Sequence, residues 1–126
     1  RPAFMPVLVK IADLIDNNSG EVTISGHTDD VPISNERFRS NWDLSTSRAV
    51  SVAHELLQAS ELQPENVIVT GHADTRPRAP NDSSENRAKN RRVDVAIVRG
   101  KEIDEFRSMS IAAASAEADQ IEEVKP

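Results

Sequence analysis

Apolar residues recur along the chain with two periods, and these periods predict its helices and strands. Between Phe4 and Ile15 they are spaced by three and four residues, which predicts an amphipathic helix with one buried stripe. The same period returns from Asn41 to about Ser60 and predicts a second, longer helix. Residues 85–90 are compatible with a third, short helix.

Alternation of apolar and polar residues predicts three strands, at residues 22–25, 67–70 and 93–98. A strand, a helix and a strand in succession over residues 22–70 indicate a βαβ unit with parallel strands and a right-handed crossover. The fold class expected is therefore α+β, a mixed sheet with helices packed on one face. Two long loops follow the first two strands, at residues 31–40 and 73–84, and loops of that length are often functional.

The composition supports one small domain with an acidic end. The formal net charge is −6, and residues 103–126 hold six acidic and two basic residues. We therefore expect a folded domain over residues 1–102 and an acidic, alanine-rich tail over residues 103–126. The chain begins at Arg1 rather than at a methionine, so we expect it to be part of a longer protein.

Several classes of function are disfavoured by the same composition. The chain has no cysteine, which excludes disulfides, a thiol nucleophile and thiolate metal ligands. It contains no GxSxG nucleophile motif and no glycine-rich phosphate loop. The basic residues of segment 87–92 are more typical of a solvated surface than of a nucleic-acid site, because the net charge is negative and aromatic residues are few. No nucleic-acid partner is expected.

The first two strands end in nearly the same residues, which raises a metal hypothesis. Gly26-His27-Thr28-Asp29 follows the first strand, and Gly71-His72-Ala73-Asp74 follows the second. Because ligands gather at the carboxyl ends of parallel strands, His27, Asp29, His72 and Asp74 could together hold a divalent ion in a hydrolase. The sequence has no HExxH motif and no obvious general base. The metal-dependent hydrolase therefore stays an alternative.

Two arginines suggest a different site. Arg48 lies along the buried stripe of the second helix, near its start, and Arg91 has the strand parity of buried Val93. A buried guanidinium needs an acceptor or a ligand. Arg48 could form a structural ion pair with one of three aspartates: Asp29, Asp43 or Asp74. It could instead hold a ligand carboxylate while Asp29 takes an ammonium group. The second possibility describes a site for the zwitterionic end of an amino acid.

Three blocks of the sequence resemble a known family. Gly26-His27-Thr28-Asp29, then Asn41-x-x-Leu44-Ser45-x-x-Arg48-Ala49, then Asn90-Arg91-Arg92-Val93 are similar, in this order, to the signature of OmpA-like peptidoglycan-binding domains. The long insertion between Asp29 and Asn41 most resembles the B subunits of flagellar motor stators, of the MotB or PomB type.

This resemblance implies a non-catalytic, cofactor-free domain that binds the diaminopimelate of the peptidoglycan stem. The binding residues that it implies are Thr28, Asp29, Asn41, Leu44, Ser45, Arg48, Arg91 and Arg92, with Asp29 and Arg48 on the amino-acid end of the ligand. It also implies a periplasmic domain of an inner-membrane-anchored protein, a homodimer, and a stator A subunit as partner. A wall-binding protein linked to the outer membrane, with the same fold, is the remaining alternative. The first strand of the family domain is expected upstream of Arg1.

Overall fold

The computed structural model of the protein describes residues 5–16, 20–99 and 102–110, and everything below concerns those residues. They form three α-helices, one 3-10 turn (Pro64–Asn66) and four strands. The α-helices are α1 (Met5–Asp16), α2 (Asn41–Ala59) and α3 (Ser84–Asn90); the strands are β1 (Glu21–His27), β2 (Val67–Gly71), β3 (Arg92–Arg99) and β4 (Glu102–Ser110). Within these ranges, none of the helices is both long enough and apolar enough to cross a membrane.

The four strands form one mixed sheet in the order β2-β1-β3-β4. β1 and β2 are parallel, with Val22 opposite Val67 and Gly26 opposite Gly71, whereas β3 is antiparallel to both β1 and β4. The parallel pair confirms the βαβ unit, since α2 is the crossover between its strands. The α+β fold class with a mixed sheet is likewise confirmed.

One face of the sheet is apolar and is covered by α1 and α2. The core consists of aliphatic side chains from both layers: Ile11, Ile15, Val22, Ile24, Ala49, Val52, Ala53, Leu56, Val93, Val95, Ile97 and Met109. Val22, Ile24 and Leu56 are fully buried. We call the apolar side of the sheet the helical face and the opposite side the second face. Burial of these aliphatic groups is the main driving force for folding in a chain with so few aromatic residues.

β4 corrects the domain boundary expected from the sequence. The sequence analysis places the start of the tail at residue 103. Residues 102–110 instead form a strand paired with β3, with Ser110 opposite Arg92 and Glu102 opposite Arg99. The sequence of β4 shows little alternation for two reasons. Its register shifts by one residue, since Ile97 lies opposite Glu105 but Val98 lies opposite Ile103, and Met109 is its buried apolar residue. Residues 111–126 of the expected tail lie outside the described residues.

Two glycines let α2 lie close against the strand ends. A Cβ on Gly26 would lie 2.0 Å from the backbone oxygen of Ser45, and one on Gly71 would lie 2.9 Å from the backbone nitrogen of Thr46. Both contacts fall in the first turns of α2. The sheet therefore accepts the start of this helix only because these two positions carry no side chain.

We predict that Gly26→Ala destabilises the domain by about 1–3 kcal/mol or more, because the added methyl group would collide with helix backbone that cannot rotate away. Thr23→Ala, on the second face of the same strand, should cost less than about 1 kcal/mol. Urea denaturation followed by circular dichroism measures both. Equal stability of Gly26→Ala and wild type would contradict the close approach.

Candidate functional site

Asp29 lies directly after β1 and is held on both of its carboxylate oxygens. Oδ1 accepts a hydrogen bond from the backbone N–H of Val31 at 3.0 Å, and Oδ2 accepts one from Nη1 of Arg91 at 2.8 Å. The Asp29 side chain is 12% exposed and that of Arg91 is 39% exposed. A carboxylate has about four acceptor positions, so the two described contacts leave room for a further donor.

A second ion pair runs parallel to the first. Nε of Arg87 lies 3.1 Å from Oδ1 of Asp30, with both side chains partly exposed. Arg87 and Arg91 are four residues apart, so they extend from the same side of α3 and its C-cap toward Asp29 and Asp30. The sequence analysis missed the Asp30–Arg87 pair, although this spacing opposite two adjacent aspartates was a usable signal.

The start of α2 forms another wall of the site. Ser40 caps the helix by accepting a hydrogen bond from the N–H of Trp42 at 3.2 Å. Nδ2 of Asn41 donates to the carbonyl oxygen of Val31 at 3.1 Å and more weakly to that of Asp29 at 3.4 Å. Asn41 thus fixes the loop that carries Asp29 against the positive end of the helix dipole.

Ser45 joins α2 to the loop after β2. Its Oγ accepts a hydrogen bond from the N–H of Ala73 at 3.0 Å, and Ser45 is fully buried. The carbonyl oxygen of Ala73 in turn accepts from the N–H of Thr28 at 2.8 Å. Ala73 has a φ of 53°, which is a strained conformation for an alanine. The two strand ends and the helix are therefore bound to one another through a single residue that the sequence analysis did not identify.

Asn90 organises the rest of that loop. It is fully buried, and its Oδ1 accepts from the N–H groups of Arg78 at 2.7 Å and Ala79 at 2.9 Å. Its Nδ2 donates to the carbonyl oxygen of Ala79 and to Oδ1 of Asn81, each at 2.8 Å. Asn90 precedes Arg91 directly, so the loop and the Asp29–Arg91 pair share one anchor.

The remaining residues expected at the site are placed as follows. Thr28 is buried, and its hydroxyl donates to the carbonyl oxygen of Asp29 at 2.8 Å. Leu44 is buried under the start of α2, and Arg48 is half-buried one turn further along the helix. Asp43 is one of the three aspartates considered as partners for Arg48. It accepts hydrogen bonds from the backbone N–H and from Nε of Arg39.

Arg92 lies on the other side of the sheet from Asp29 and belongs to a separate cluster. Its Nε donates to Oδ2 of Asp94 at 3.1 Å, and its Nη2 donates to the carbonyl oxygen of Arg76 at 3.1 Å. Oδ1 of Asp94 accepts a short hydrogen bond from the hydroxyl of Ser108. Arg92 is only 8% exposed, so its charge is stabilised inside the protein by Asp94.

The two histidines of the strand ends also point to the second face. The rings of His27 and His72 are stacked, with centroids 5.0 Å apart, and Nε2 of His27 lies 3.3 Å from Oδ2 of Asp94. Burial lowers the pKa of His72, and its neighbours His27, Arg76 and Arg92 lower it further. His72 is therefore biased toward the neutral form.

These positions contradict the metal hypothesis. The Asp29 carboxylate is engaged with Arg91, and Asp74 is exposed, while His27 and His72 lie in the cluster around Asp94. Within the part of the chain that the structure describes, no group of three or more histidines or carboxylates is arranged to hold a metal ion. The alternative of a hydrolase using His27, Asp29, His72 and Asp74 is wrong because alternate faces of the sheet separate these side chains.

A cleft of about 280 Å³ lies next to the Asp29 loop. It is lined by Asp30, Pro32 and Ile33 on one side and by Asn41, Trp42 and Asp74 on the other. Asn41 also bonds the carbonyl oxygen of Asp29, so the cleft lies beside the loop that carries the Asp29–Arg91 pair. A negative carboxylate beside a guanidinium and a helix N-terminus can bind a ligand that carries both charges.

Comparison with known proteins agrees with the resemblance found in the sequence. The model of the OmpA family matches residues 1–91. Motility protein B of Bacillus subtilis (strain 168) is 39% identical over 95 residues, which cover 75% of this chain and 36% of that protein. The chain thus spans about a third of the length of this curated relative.

Two solved structures are similar in both fold and sequence. The cell wall anchor of the T6SS from Pseudomonas aeruginosa has a TM-score of 0.70 and 39% identity, covering 79% of this chain and 69% of that one. The periplasmic domain of Helicobacter pylori MotB has a TM-score of 0.66 and 29% identity, covering 97% of this chain and 73% of that one.

We predict that the Asp94 cluster makes the fold sensitive to acid. Burial raises the pKa of Asp94, but hydrogen bonds from His27 and Ser108 and the charge of Arg92 lower it by more. The pKa therefore lies below its usual range. A lowered folded-state pKa contributes stability above the unfolded value, about 4, and that stability is lost as the pH falls through the folded value.

The measurement is the free energy of unfolding in urea between pH 7 and pH 2 for wild type and Asp94→Asn. At pH 7 the variant should be less stable by about 3–5 kcal/mol, because Arg92 stays buried without its partner. Its stability should also fall less steeply than that of wild type below about pH 4. Parallel pH profiles for the two proteins would show that Asp94 does not control the acid response.

Proposed function

The chain belongs to the OmpA family, and from that premise we propose that it binds peptidoglycan and anchors a flagellar motor stator to the cell wall. Domains of this kind are binding domains and not enzymes. Motility protein B relatives support the stator role, and the cell wall anchor among the structural relatives supports wall attachment.

The proposed ligand is the amino-acid end of diaminopimelate in the peptide stem. The observation that carries this proposal is the Asp29–Arg91 pair, 2.8 Å long, next to an open cleft. Asp29 has acceptor positions left for the ligand ammonium group, and most of the N–H donors of a guanidinium remain after one contact. In this proposal Arg48, one turn along α2 from Ser45, binds the ligand carboxylate together with Arg91.

The other expected residues support this site in different ways. Asn41, Thr28 and Ser45 form the hydrogen bonds that fix the Asp29 loop and the start of α2. Leu44 is buried beneath that start and fixes it to the core. Arg92 is a structural residue in this proposal, because its guanidinium is buried with Asp94 on the second face.

The assembly is part of the proposal. By similarity to periplasmic domains of MotB, we propose that the domain lies in the periplasm, that it works as a homodimer, and that an inner-membrane anchor elsewhere in the protein joins a stator A subunit.

A second candidate is a wall anchor in another envelope machine. The 39% identity with the T6SS anchor favours it. Both candidates use the same binding chemistry, so a test in cells is needed to separate them. Asp29→Asn in the full-length gene should abolish swimming if the protein anchors a stator, whereas unchanged swimming would exclude the stator role.

We predict that Asp29→Asn abolishes sedimentation of the domain with purified sacculi. Loss of a charge-assisted bond to the ligand ammonium should weaken binding by about 10- to 100-fold. Stability should change by only about 1 kcal/mol, because Arg91 can still reach water. Co-sedimentation measures binding, and urea denaturation checks the fold.

The control is Glu65→Gln, in the 3-10 turn before β2 and outside the cleft lining. Its carboxylate is exposed, and binding should stay within about two-fold of wild type if Asp29 is the carboxylate that binds the ligand ammonium group. Sedimentation of Asp29→Asn equal to that of wild type would refute the proposed site.

A further inference from the structure

Trp42 is the one tryptophan of the chain, and its side chain is largely in water. It is 54% exposed, although a buried indole would contribute more to stability. Its backbone carbonyl oxygen accepts from the hydroxyls of Ser45 at 3.2 Å and Thr46 at 2.8 Å, so the helix turn depends on the backbone of Trp42 and not on its ring. The fold gives no structural reason for the indole at this position.

Trp42 separates two concave surfaces. On one side it lines the cleft next to the Asp29 loop. On the other side it begins an open groove of about 690 Å³ that runs along α2 to His54. At about 1.5 Å per residue, the distance from Trp42 to His54 is about 18 Å, which suits a linear polymer better than a compact small molecule.

Hydroxyl groups line the groove beyond the indole. Thr46, Ser47 and Ser51 line the same groove as Trp42. The Thr46 hydroxyl donates to the carbonyl oxygen of Trp42 at 2.8 Å, and the Ser51 hydroxyl donates to that of Ser47 at 3.2 Å. Because their protons are used inside the helix, their lone pairs can accept hydrogen bonds from a ligand.

This lining fits a saccharide better than a protein. A sugar ring offers a C–H face that stacks on an aromatic ring and hydroxyls that bond short polar side chains. The buried centre of a protein interface is instead enriched in several apolar and aromatic residues and depleted in serine. The rest of the lining is mostly polar and does not provide such a centre: Arg37, Arg39, Asp43 and His54, with Val50 and the buried Phe38 as its apolar residues.

We propose that Trp42 and the groove along α2 bind the glycan strand of peptidoglycan, with a sugar ring stacked on the indole. This inference rests on the proposed function, in which the peptide stem occupies the Asp29 site. The stem joins the glycan two residues before diaminopimelate, and extended chain spans about 3.3–3.6 Å per residue. The glycan must therefore pass within roughly 10 Å of the stem site, and Trp42 follows Asn41, which bonds the Asp29 loop.

The test compares three probes: the free stem tripeptide L-Ala-D-Glu-diaminopimelate, the same tripeptide on its N-acetylglucosamine–N-acetylmuramic acid disaccharide, and peptide-free glycan strands. Calorimetry gives the affinity of wild type, Trp42→Ala, Trp42→Phe and Asp29→Asn for the first two probes. Wild type should bind the disaccharide form about 2- to 10-fold more tightly than the free tripeptide. Trp42→Ala should bind the two probes with equal affinity, because the indole is the group that contacts the added disaccharide, and Trp42→Phe should recover part of the difference.

The indole itself provides an independent measurement. Peptide-free glycan should shift the fluorescence emission of Trp42 to shorter wavelength in wild type and equally in Asp29→Asn, because that substitution does not touch the groove. Failure of Asp29→Asn to weaken tripeptide binding would refute the stem site alone. An unshifted emission, or a Trp42→Ala variant that keeps the disaccharide advantage, would overturn the glycan proposal.

Discussion

The close approach of α2 to the ends of β1 and β2 is the constraint on which the site depends. Gly26 and Gly71 leave room for the backbone at Ser45 and Thr46, where a methyl group would overlap it. Ser45 can then accept from the N–H of Ala73, and Ala73 can accept from the N–H of Thr28. Without that approach, the loop that carries Asp29 would have no fixed position relative to the helix N-terminus, and the proposed site for a two-charge ligand would not be pre-organised.

The sheet divides the charged residues into two groups with different tasks. Arg91 and Arg92 are adjacent in sequence, yet Arg91 pairs with Asp29 near the cleft and Arg92 pairs with Asp94 on the second face. The Asp29–Arg91 pair is partly exposed, and in the proposed function it exchanges partners with the ligand. The Arg92–Asp94 pair is buried and fixes the start of β3. If the proposed site is correct, two consecutive arginines serve binding and stability separately.

Much of this arrangement was predictable from the sequence. The periods of apolar residues placed α1, α2 and the first three strands, and the repeated glycines marked the strand ends. β4 was missed because Met109 is its one buried apolar residue among those whose burial is described, which gives almost no alternation. The metal hypothesis was wrong because spacing after a strand does not show which face a histidine occupies. The contacts of Ala73 and Asn90 could not be predicted, since they depend on how two distant loops meet. The binding role of Arg48 stays a prediction.

The claim that the site binds a zwitterion is tested most directly by changing one charge of the ligand. Calorimetry should compare stem tripeptides that end in diaminopimelate and in lysine, which keeps the ammonium group but lacks the second carboxylate. Wild type should bind the diaminopimelate form about 10- to 100-fold more tightly. Arg48→Ala should bind both forms with similar, weak affinity. Equal affinity of wild type for the two tripeptides would contradict the zwitterion site.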